Sequence, residues 1–287
     1  MKKIGFIDFF LDEWHANNYP EWIRENCKAM GRDCDLKYAW AEMDKPGGID
    51  TSSWCSKYGA EALGSIDELV EKSDYIIVLS PDNPEQHEKL ARIPLMSGKP
   101  VYIDKTFSPD LASGVRMFEL AEKYSTPFFS SSALRFAQEF STYPDEKVNR
   151  NSLEFVSTLG PGTFETYSVH QLEIIVSLMG PGTKKIKCLS TDNTRSLIME
   201  RSEGRRASML QMDNVPFQAS LQLKNGEGIF VNECSDIFPR LINGMMEFFE
   251  TGIVPVPREE TLEIMALIEA GHKALKNDDT WITVEHA

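Results

Sequence analysis

Two residues of this sequence have types and positions suited to proton chemistry, and the first is a lysine. Lys105 follows Val101-Tyr102-Ile103-Asp104, a short apolar run that ends in an acid. A lysine at the carboxyl end of a buried strand can enter a cleft, where it moves a proton or holds a substrate oxygen. The alternative is a solvent-exposed lysine in a turn. Asp104 would either anchor the ammonium group by a charge pair or cap the next helix.

The second residue is His170, which precedes an apolar helical run in TYSVHQLEIIVSLMG. An imidazole is the side chain best suited to general acid–base work near neutral pH. The alternative is a core histidine with a satisfied hydrogen bond. Glu165 or Glu173 would orient the ring, since Glu173 lies three residues further on and shares its helix face. The scattered histidines and acids lack the spacing of metal ligands, so no metal site is predicted.

These residues must be held by a parallel sheet with helices on both faces. Apolar runs typical of buried strands alternate with helical patterns from the N-terminus to about residue 125, at Ile4–Ile7, Leu36–Ala41, Tyr75–Leu79 and Val101–Ile103. This alternation favours a doubly wound α/β fold, in which ligands bind at the carboxyl edge of the strands. Helix starts are predicted at Asn18-Tyr19-Pro20 and, with Ser108 as cap, at Ser108-Pro109-Asp110.

The second half of the chain has a different pattern of apolar runs and turns. An apolar helical segment at Leu172–Met179 is followed by short strand-like runs with polar or glycine-containing turns, at Ile186–Ser190, Ser196–Arg201, Ala207–Met212, Phe217–Leu223 and Gly228–Val231. The turns favour a mostly antiparallel open sheet. Two closing helices are expected at Leu241–Thr251 and Glu259–Leu275. We therefore predict an α/β domain over 1–127 and an α+β domain over 128–287.

Composition excludes several classes of partner. The 287 residues carry a net charge of −14, with 41% hydrophobic and 26% charged residues. An acidic surface repels phosphate backbones and anionic lipid, so neither nucleic acid nor a membrane is an expected partner. The five cysteines form no CxxC pair and are expected to be free thiols. MKKIGFIDFF predicts a first strand rather than a signal peptide, which makes the cytoplasm the expected location.

The order of these elements, with several short motifs, resembles the Gfo/Idh/MocA family of NAD(P)-dependent sugar and polyol dehydrogenases. The matching segments are Ser80-Pro81…Asn83…His87, Gly98-Lys99-Pro100-Val101…Asp104-Lys105-Thr106, Arg135-Phe136, His170 in its helix, and Gly252-Ile253-Val254-Pro255…Leu262…Ala270. They resemble the family's Thr-Pro-Asn…His, Gly-Lys-x-Val…Glu-Lys-Pro, Arg-Phe, Asp-x-x-x-His and C-terminal helix-pair patterns. They occur in the family's order and touch most of the chain.

The resemblance implies a Rossmann domain that binds NAD or NADP and a second domain that binds a polyhydroxy small molecule. It makes Lys105 and His170 the catalytic pair. The implied cofactor-binding residues are Asp8, Phe9, Phe10, Ser80, Pro81, Asn83, His87, Asp104 and Lys105. The implied substrate-binding residues are Arg135, Glu165 and Thr166. Subunits would pair through the second domain's sheet, giving a homodimer or a higher even oligomer.

One departure from the family concerns the first turn. Where the family has Gly-x-Gly-x-x-Gly, this chain reads Asp8-Phe9-Phe10-Leu11-Asp12-Glu13. Bulky side chains replace the glycines that let backbone N–H groups approach a pyrophosphate, and three carboxylates would repel it. With a helix start at Asn18 the connection would be about eleven residues long. We predict weak NAD(P) affinity or a displaced pyrophosphate; the alternative is a member that has lost dinucleotide binding and serves as a non-redox ligand-binding or regulatory protein.

Overall fold

The computed structural model describes residues 1–143, 145 and 147–287. Its backbone contacts divide it into two compact units. The first unit comprises Met1–Pro109, Ser113–Ser131 and Leu241–Pro257, and the second comprises Asp110–Ala112, Ser132–Arg240 and Arg258–Ala287. The division differs from a single boundary near residue 128, because residues 241–257 cluster with the first unit. Their aromatic side chains explain this, since Phe249 stacks on Tyr75 and Phe248 packs edge-on against Phe129.

The first unit contains a six-stranded parallel sheet with the strand order β3-β2-β1-β4-β5-β6. Its strands are β1 (Lys2–Asp8), β2 (Cys34–Ala41), β3 (Glu61–Ala62), β4 (Tyr75–Val78), β5 (Val101–Ile103) and β6 (Phe128–Ser130). Its helices are α1 (Trp14–Met30), α2 (Thr51–Tyr58), α3 (Ile66–Lys72), α4 (His87–Leu95) and α5 (Leu111–Lys123). The doubly wound parallel sheet predicted from the sequence is confirmed.

The central strands form because their side chains are apolar on both faces. Ile4, Phe6 and Ile7 of β1 are fully buried, as are all three residues of β5. Such strands suit a sheet that is covered on both sides. The strand order reverses between β1 and β4, so the carboxyl ends of these two strands mark the switch point where ligands bind in this class of sheet.

Two predicted helix starts in the first unit are wrong. Helix α1 begins at Trp14 rather than near Asn18, and Pro20 lies within it. Helix α5 begins at Leu111, which leaves Ser108 outside as a buried residue of the preceding turn. Both predictions place a proline in the first helical turn, which is its commonest helical position but not its only one.

The second unit contains a seven-stranded mixed sheet with the order β12-β11-β7-β10-β9-β8-β13. The strands are β7 (Leu153–Gly160), β8 (Thr183–Ser190), β9 (Thr194–Arg201), β10 (Arg206–Met212), β11 (Gln218–Leu223), β12 (Gly228–Val231) and β13 (Ile282–Thr283). Only β7 and β10 pair in parallel among the described strands of this sheet. The predicted antiparallel character is therefore confirmed, with one parallel pair at its centre.

Helices α6 (Phe164–Met179), α7 (Ile237–Thr251) and α8 (Arg258–Leu275) complete the chain. Helices α6 and α8 pack on the mixed sheet, where α6 contacts β7 and β10 and α8 contacts β8. Most of the side chains of α6 from Ser168 onward are buried, which explains its almost continuous apolar run. Among the described residues, no helix is both long and apolar enough to cross a membrane.

Candidate functional site

The turn between β1 and α1 ends at Glu13, whose side-chain carboxylate caps the helix. Phe9–Glu13 connect the two elements, and Glu13 caps α1 from an extended conformation (φ −132°, ψ 170°). Its carboxylate accepts hydrogen bonds from the backbone N–H of His15, at 2.7 Å, and of Ala16. The predicted eleven-residue connection is therefore wrong. Glutamate is not among the residues preferred at this cap, so the helix start could not be recognised from the residue type.

Three carboxylates are buried at the carboxyl edge of the first sheet. Asp8 ends β1, Asp104 follows β5 and Glu13 caps α1; their exposed fractions are 1%, 1% and 4%. Asp12 was expected to stand with Asp8 and Glu13, but its carboxylate accepts hydrogen bonds from the side chain of Asn17 (3.0 Å) and the N–H of Ile49 (3.1 Å). The buried acidic cluster therefore consists of Asp8, Glu13 and Asp104, and Asp12 is not part of it.

His15 lies between two of these acids. Its Nδ1 is 3.5 Å from Oε2 of Glu13 and 3.5 Å from Oδ2 of Asp104. Its ring packs edge-on against Tyr19, with 5.4 Å between centroids. Burial lowers the pKa of His15, but the charge of Asp104 and the hydrogen bond with Glu13 outweigh burial and leave the pKa raised. The arrangement favours an imidazolium that balances part of the acidic charge.

Burial at the end of β1 changes the pKa of the Asp8 carboxyl group. Desolvation raises its pKa well above the ordinary value, and the nearby charges of Glu13 and Asp104 act in the same direction. Hydrogen bonds from the backbone N–H of Phe9 and Phe10 oppose the shift without cancelling it. Asp8 therefore keeps its proton to a higher pH than an exposed aspartate.

No group of three or more His, Cys, Asp or Glu side chains in the described part of the chain is arranged to hold a metal ion.

Asp104 is fixed from the opposite side by Tyr102. The phenolic oxygen of Tyr102 lies 3.0 Å from Oδ1 of Asp104 and 3.0 Å from the carbonyl oxygen of Ser131. Burial raises the pKa of Tyr102 well above its ordinary value, and the charge of Asp104 adds to the effect. The phenol therefore stays protonated and donates its hydrogen to one of these two oxygens.

His87 joins the loops that follow β4 and β5. The fully buried ring places Nδ1 3.0 Å from the carbonyl oxygen of Phe107 and Nε2 2.6 Å from that of Leu79. Burial is the main cause of its lowered pKa. Lys105 adds a second link, because its half-buried Nζ donates to the carbonyl oxygen of Pro81 at 3.2 Å. The two segments that resemble family motifs therefore meet in space.

The other predicted cofactor-binding residues line the same edge or its loops. Ser80 adopts a positive φ of 79°, and its hydroxyl donates to the carbonyl oxygen of Asn83 at 3.2 Å. The Asn83 side chain donates to Glu85 at 3.2 Å. Phe9 and Phe10 are half-buried and pack against each other at 5.6 Å. Their predicted contact with a cofactor stays a prediction.

In the second unit, His170 is held by a serine. Nδ1 of His170 lies 2.7 Å from Oγ of Ser132, and the ring packs edge-on against Tyr167 and Phe217. The ring is half-buried on α6, so it is neither a core histidine nor a freely exposed one. A histidine oriented through one ring nitrogen can use the other for acid–base work. Its predicted catalytic role is compatible with this geometry.

Arg135 lies in a buried charge network next to His170. Its guanidinium donates to Glu173 through Nε and to Glu260 through Nη1 (2.6 Å), and Glu260 also accepts from Arg150. Glu173 accepts from the backbone N–H of Ser132 at 3.3 Å. The acids outweigh the effect of burial and raise the pKa of Arg135, which keeps it charged. These contacts give Arg135 a structural task, while its contact with substrate stays a prediction.

Glu165 and Thr166 lie on the exposed first turn of α6. The hydroxyl of Thr166 is 3.0 Å from that of Thr163, the residue that precedes the helix. Glu173 rather than Glu165 reaches the neighbourhood of His170, through Ser132. Of the two acids considered as orienting residues, the structure therefore favours the one on the same helix face.

A pyrophosphate does not fit the β1–α1 turn in the pose that its fold usually provides. The N–H groups of His15 and Ala16, which would face the phosphates, already bind the Glu13 carboxylate. Residues 8–13 include no glycine, and Leu11 fills the turn with an exposed fraction of 2%. This misfit is a property of the β1–α1 turn.

Sequence reasoning missed two parts of this site. No sequence pattern favours His15 over His170, and Tyr102 is predicted only as part of the apolar run that forms β5. The one sequence signal was the run Asp12-Glu13-Trp14-His15, which carries more charge than a Rossmann turn needs. The contact of His15 with Asp104 joins residues far apart in the chain and depends on the strand order, whereas Tyr102 and Asp104 are two residues apart and meet at the end of β5.

Comparison with protein-family models identifies the first unit. Residues 46–131 match the model described as "Oxidoreductase family, NAD-binding Rossmann fold", named GFO_IDH_MocA. The resemblance of the sequence to the Gfo/Idh/MocA oxidoreductase family is therefore confirmed over this range. The matched range contains Ser80, His87 and Lys105 but begins after the β1–α1 turn, which agrees with the local misfit.

Solved structures share the fold of the whole chain. A probable dehydrogenase from Thermotoga maritima is 16% identical, with a TM-score of 0.77 and 98% of each chain covered. An apo scyllo-inositol dehydrogenase from Lactobacillus casei is 13% identical, with a TM-score of 0.76 and coverage of 99% of this chain and 98% of that one. A putative myo-inositol dehydrogenase from Sinorhizobium meliloti 1021 is 12% identical, with a TM-score of 0.75 and coverage of 99% and 100%. No curated protein sequence matches the chain.

Proposed function

We propose that this chain is an oxidoreductase that transfers hydride between NAD(P) and the hydroxyl-bearing carbon of a sugar, polyol or related small molecule. The observation that carries the proposal is the position of Lys105. Its Nζ lies at the carboxyl end of β5 and contacts Pro81 after β4, within the segment that matches the family's Rossmann domain. The match of residues 46–131 to the oxidoreductase family model supports the redox class, and the inositol dehydrogenases of the same fold support a polyhydroxy substrate.

The chain's own residues would handle the hydroxyl group of the substrate. The Lys105 ammonium can hold a substrate oxygen, because it has three donors and uses one described contact, to Pro81. His170, oriented by Ser132 through Nδ1, can accept or return the hydroxyl proton through its other ring nitrogen. Each residue lies on a regular element or at its end, so its position is well defined.

A second candidate function is favoured by the β1–α1 turn. The Glu13 carboxylate holds the N–H groups that a dinucleotide would need. A member with this turn could keep the fold and the polyol site yet serve as a non-redox ligand-binding or regulatory protein. The two candidates share the substrate class and differ in whether the chain reduces a nicotinamide.

One set of assays separates the two. The protein is incubated with NAD⁺ or NADP⁺ and each of several polyols and monosaccharides, including myo-inositol and scyllo-inositol, while reduced nicotinamide is followed by absorbance. In parallel, each compound alone is tested by thermal shift, since a ligand at 100 times its Kd adds about 2.7 kcal/mol to stability. Nicotinamide reduction that Lys105→Ala abolishes supports the oxidoreductase. Thermal stabilisation by a polyol without any reduction supports the binding protein.

A further inference from the structure

Glu13 takes the position at the start of α1 that an external anion would otherwise take. The first N–H groups of a helix have no partner within the helix and attract negative charge. Here the side chain of Glu13 binds those of His15 and Ala16, and its carbonyl oxygen binds that of Asn17 at 2.9 Å. The exposed fraction of Glu13 is 4%, so this anion is part of the fold rather than a mobile surface group.

The charged side chains around the turn also disfavour the binding of a further anion. Asp104 is buried beside Glu13, and Asp8 adds its charge only where the pH exceeds its raised pKa, while the described cations near the turn make contacts of their own. His15 faces Glu13 and Asp104, Lys105 donates to Pro81, and Lys45 donates to the carbonyl oxygen of Asp12 at 2.9 Å. A diphosphate placed here would meet like charge at short range in a dry environment, where such repulsion is strong.

We infer that Glu13 closes the N-terminus of α1 to a pyrophosphate, so that a dinucleotide does not bind this chain with its diphosphate on the β1–α1 turn. The inference rests on the proposed function only for the choice of nucleotide probes. A redox-active chain would place the diphosphate elsewhere, and a non-redox chain would bind none. In both cases no phosphate group of a ligand lies on this turn.

The test compares adenosine with ADP-ribose, which differ by the diphosphate and the second ribose. Titration calorimetry measures both, together with NADH, on the wild type, on Glu13→Ser and on Glu13→Gln. Serine keeps a helix cap and removes both the charge and the bulk of the side chain, and glutamine removes the charge alone. Glu21→Gln, on an exposed position of α1, is the matched control.

For the wild type we expect ADP-ribose to bind no more tightly than adenosine, whether or not either binds measurably. For Glu13→Ser we expect ADP-ribose affinity to rise about tenfold or more, as the loss of a like charge at a helix N-terminus predicts, with adenosine affinity unchanged. Glu13→Gln should give a smaller gain, and the control none. If the serine variant does not fold, the wild-type comparison and Glu13→Gln decide the matter.

The inference is overturned if wild-type protein binds ADP-ribose about a hundredfold more tightly than adenosine and Glu13→Ser does not increase that preference. The proposed function fails in a different way, by an absence of nicotinamide reduction with every polyol. Turnover with NAD(P) together with equal affinities for ADP-ribose and adenosine would support both the oxidoreductase and the closed turn.

Discussion

Nδ1 of His15 lies 3.5 Å from Oδ2 of Asp104, and this contact joins the first turn of α1 to the end of β5. The pair forms because β1 and β5 both end at the same edge of the sheet, on either side of β4. Asp104 is also held by Tyr102 and directly precedes Lys105. Asp104 therefore links the β1–α1 turn to the residue next to Lys105.

The first prediction concerns Asp8 and pH. Because its pKa in the folded protein is raised, chiefly by burial, the folded state holds a proton that the unfolded state loses near pH 4. Stability should therefore fall as pH rises above that value, until Asp8 ionises in the folded protein. Asp8→Asn keeps the hydrogen bond from Phe9 and removes the charge. We expect the difference between the melting temperatures of Asp8→Asn and wild type, variant minus wild type, to be larger at pH 8 than at pH 4.

Thermal unfolding from pH 4 to pH 8 is the measurement. Asp50→Asn is a suitable control, since Asp50 is an exposed helix cap whose lowered pKa, caused mainly by hydrogen bonds from Ser53, gives the opposite sign. An Asp8→Asn profile parallel to that of wild type would show that Asp8 does not titrate abnormally.

The sequence predicted those features that depend on local pattern. The predicted run Tyr75–Leu79 contains the strand Tyr75–Val78 because it is apolar throughout. Strand β7 was missed, because its polar residues interrupt the pattern and its stability comes from pairing with β10 and β11. The early start of α6 was missed for a related reason, since its first turn is largely exposed.

The candidate site was predictable only in part. Lys105 could be placed at a strand end, because strand ends can be read from apolar runs. The contacts of Glu13, His15 and Asp104 could not, because they require knowledge of the strand order and of where α1 begins. The burial of Arg135 between Glu173 and Glu260 likewise depends on the packing of α6 with α8.

The second prediction concerns the buried ion pairs of Arg135. Arg135→Ala would leave Glu173 and Glu260 buried, and Glu173 would lose its described cationic partner. Breaking such a pair by removing one partner costs about 3–5 kcal/mol. We expect the free energy of unfolding, measured with urea, to fall by that amount. The control is Arg206→Ala, whose half-exposed pair with Glu200 should be worth less than about 1 kcal/mol. Equal losses in the two variants would contradict a structural role for the Arg135 network.

The third prediction concerns self-association through the mixed sheet. Ala219, Leu221 and Leu223 of β11 are buried, whereas apolar side chains on other strands remain exposed, notably Phe230 (65%) and Leu189 (43%). Exposed apolar area on a sheet commonly marks a contact between subunits. We expect a homodimer or a higher even oligomer by light scattering at micromolar concentration. Phe230→Glu should lower the mass, while Asn225→Glu in the neighbouring turn should not. A monomeric mass for the wild type would remove the basis of this prediction.

The last prediction concerns the two residues proposed to act on the substrate hydroxyl. Once a substrate is known, Lys105→Ala and His170→Ala should each lower turnover by roughly 10²–10⁴, the usual range for the loss of a proton-transfer group. Both side chains are half-buried, so the midpoint of urea unfolding should change little. Lys28→Ala, an exposed lysine of α1, is the control and should keep full activity. His170→Ala should also remove one limb of the pH–rate profile, which a merely structural histidine would not do. Full activity in both the Lys105 and His170 variants would show that these residues are not the catalytic pair.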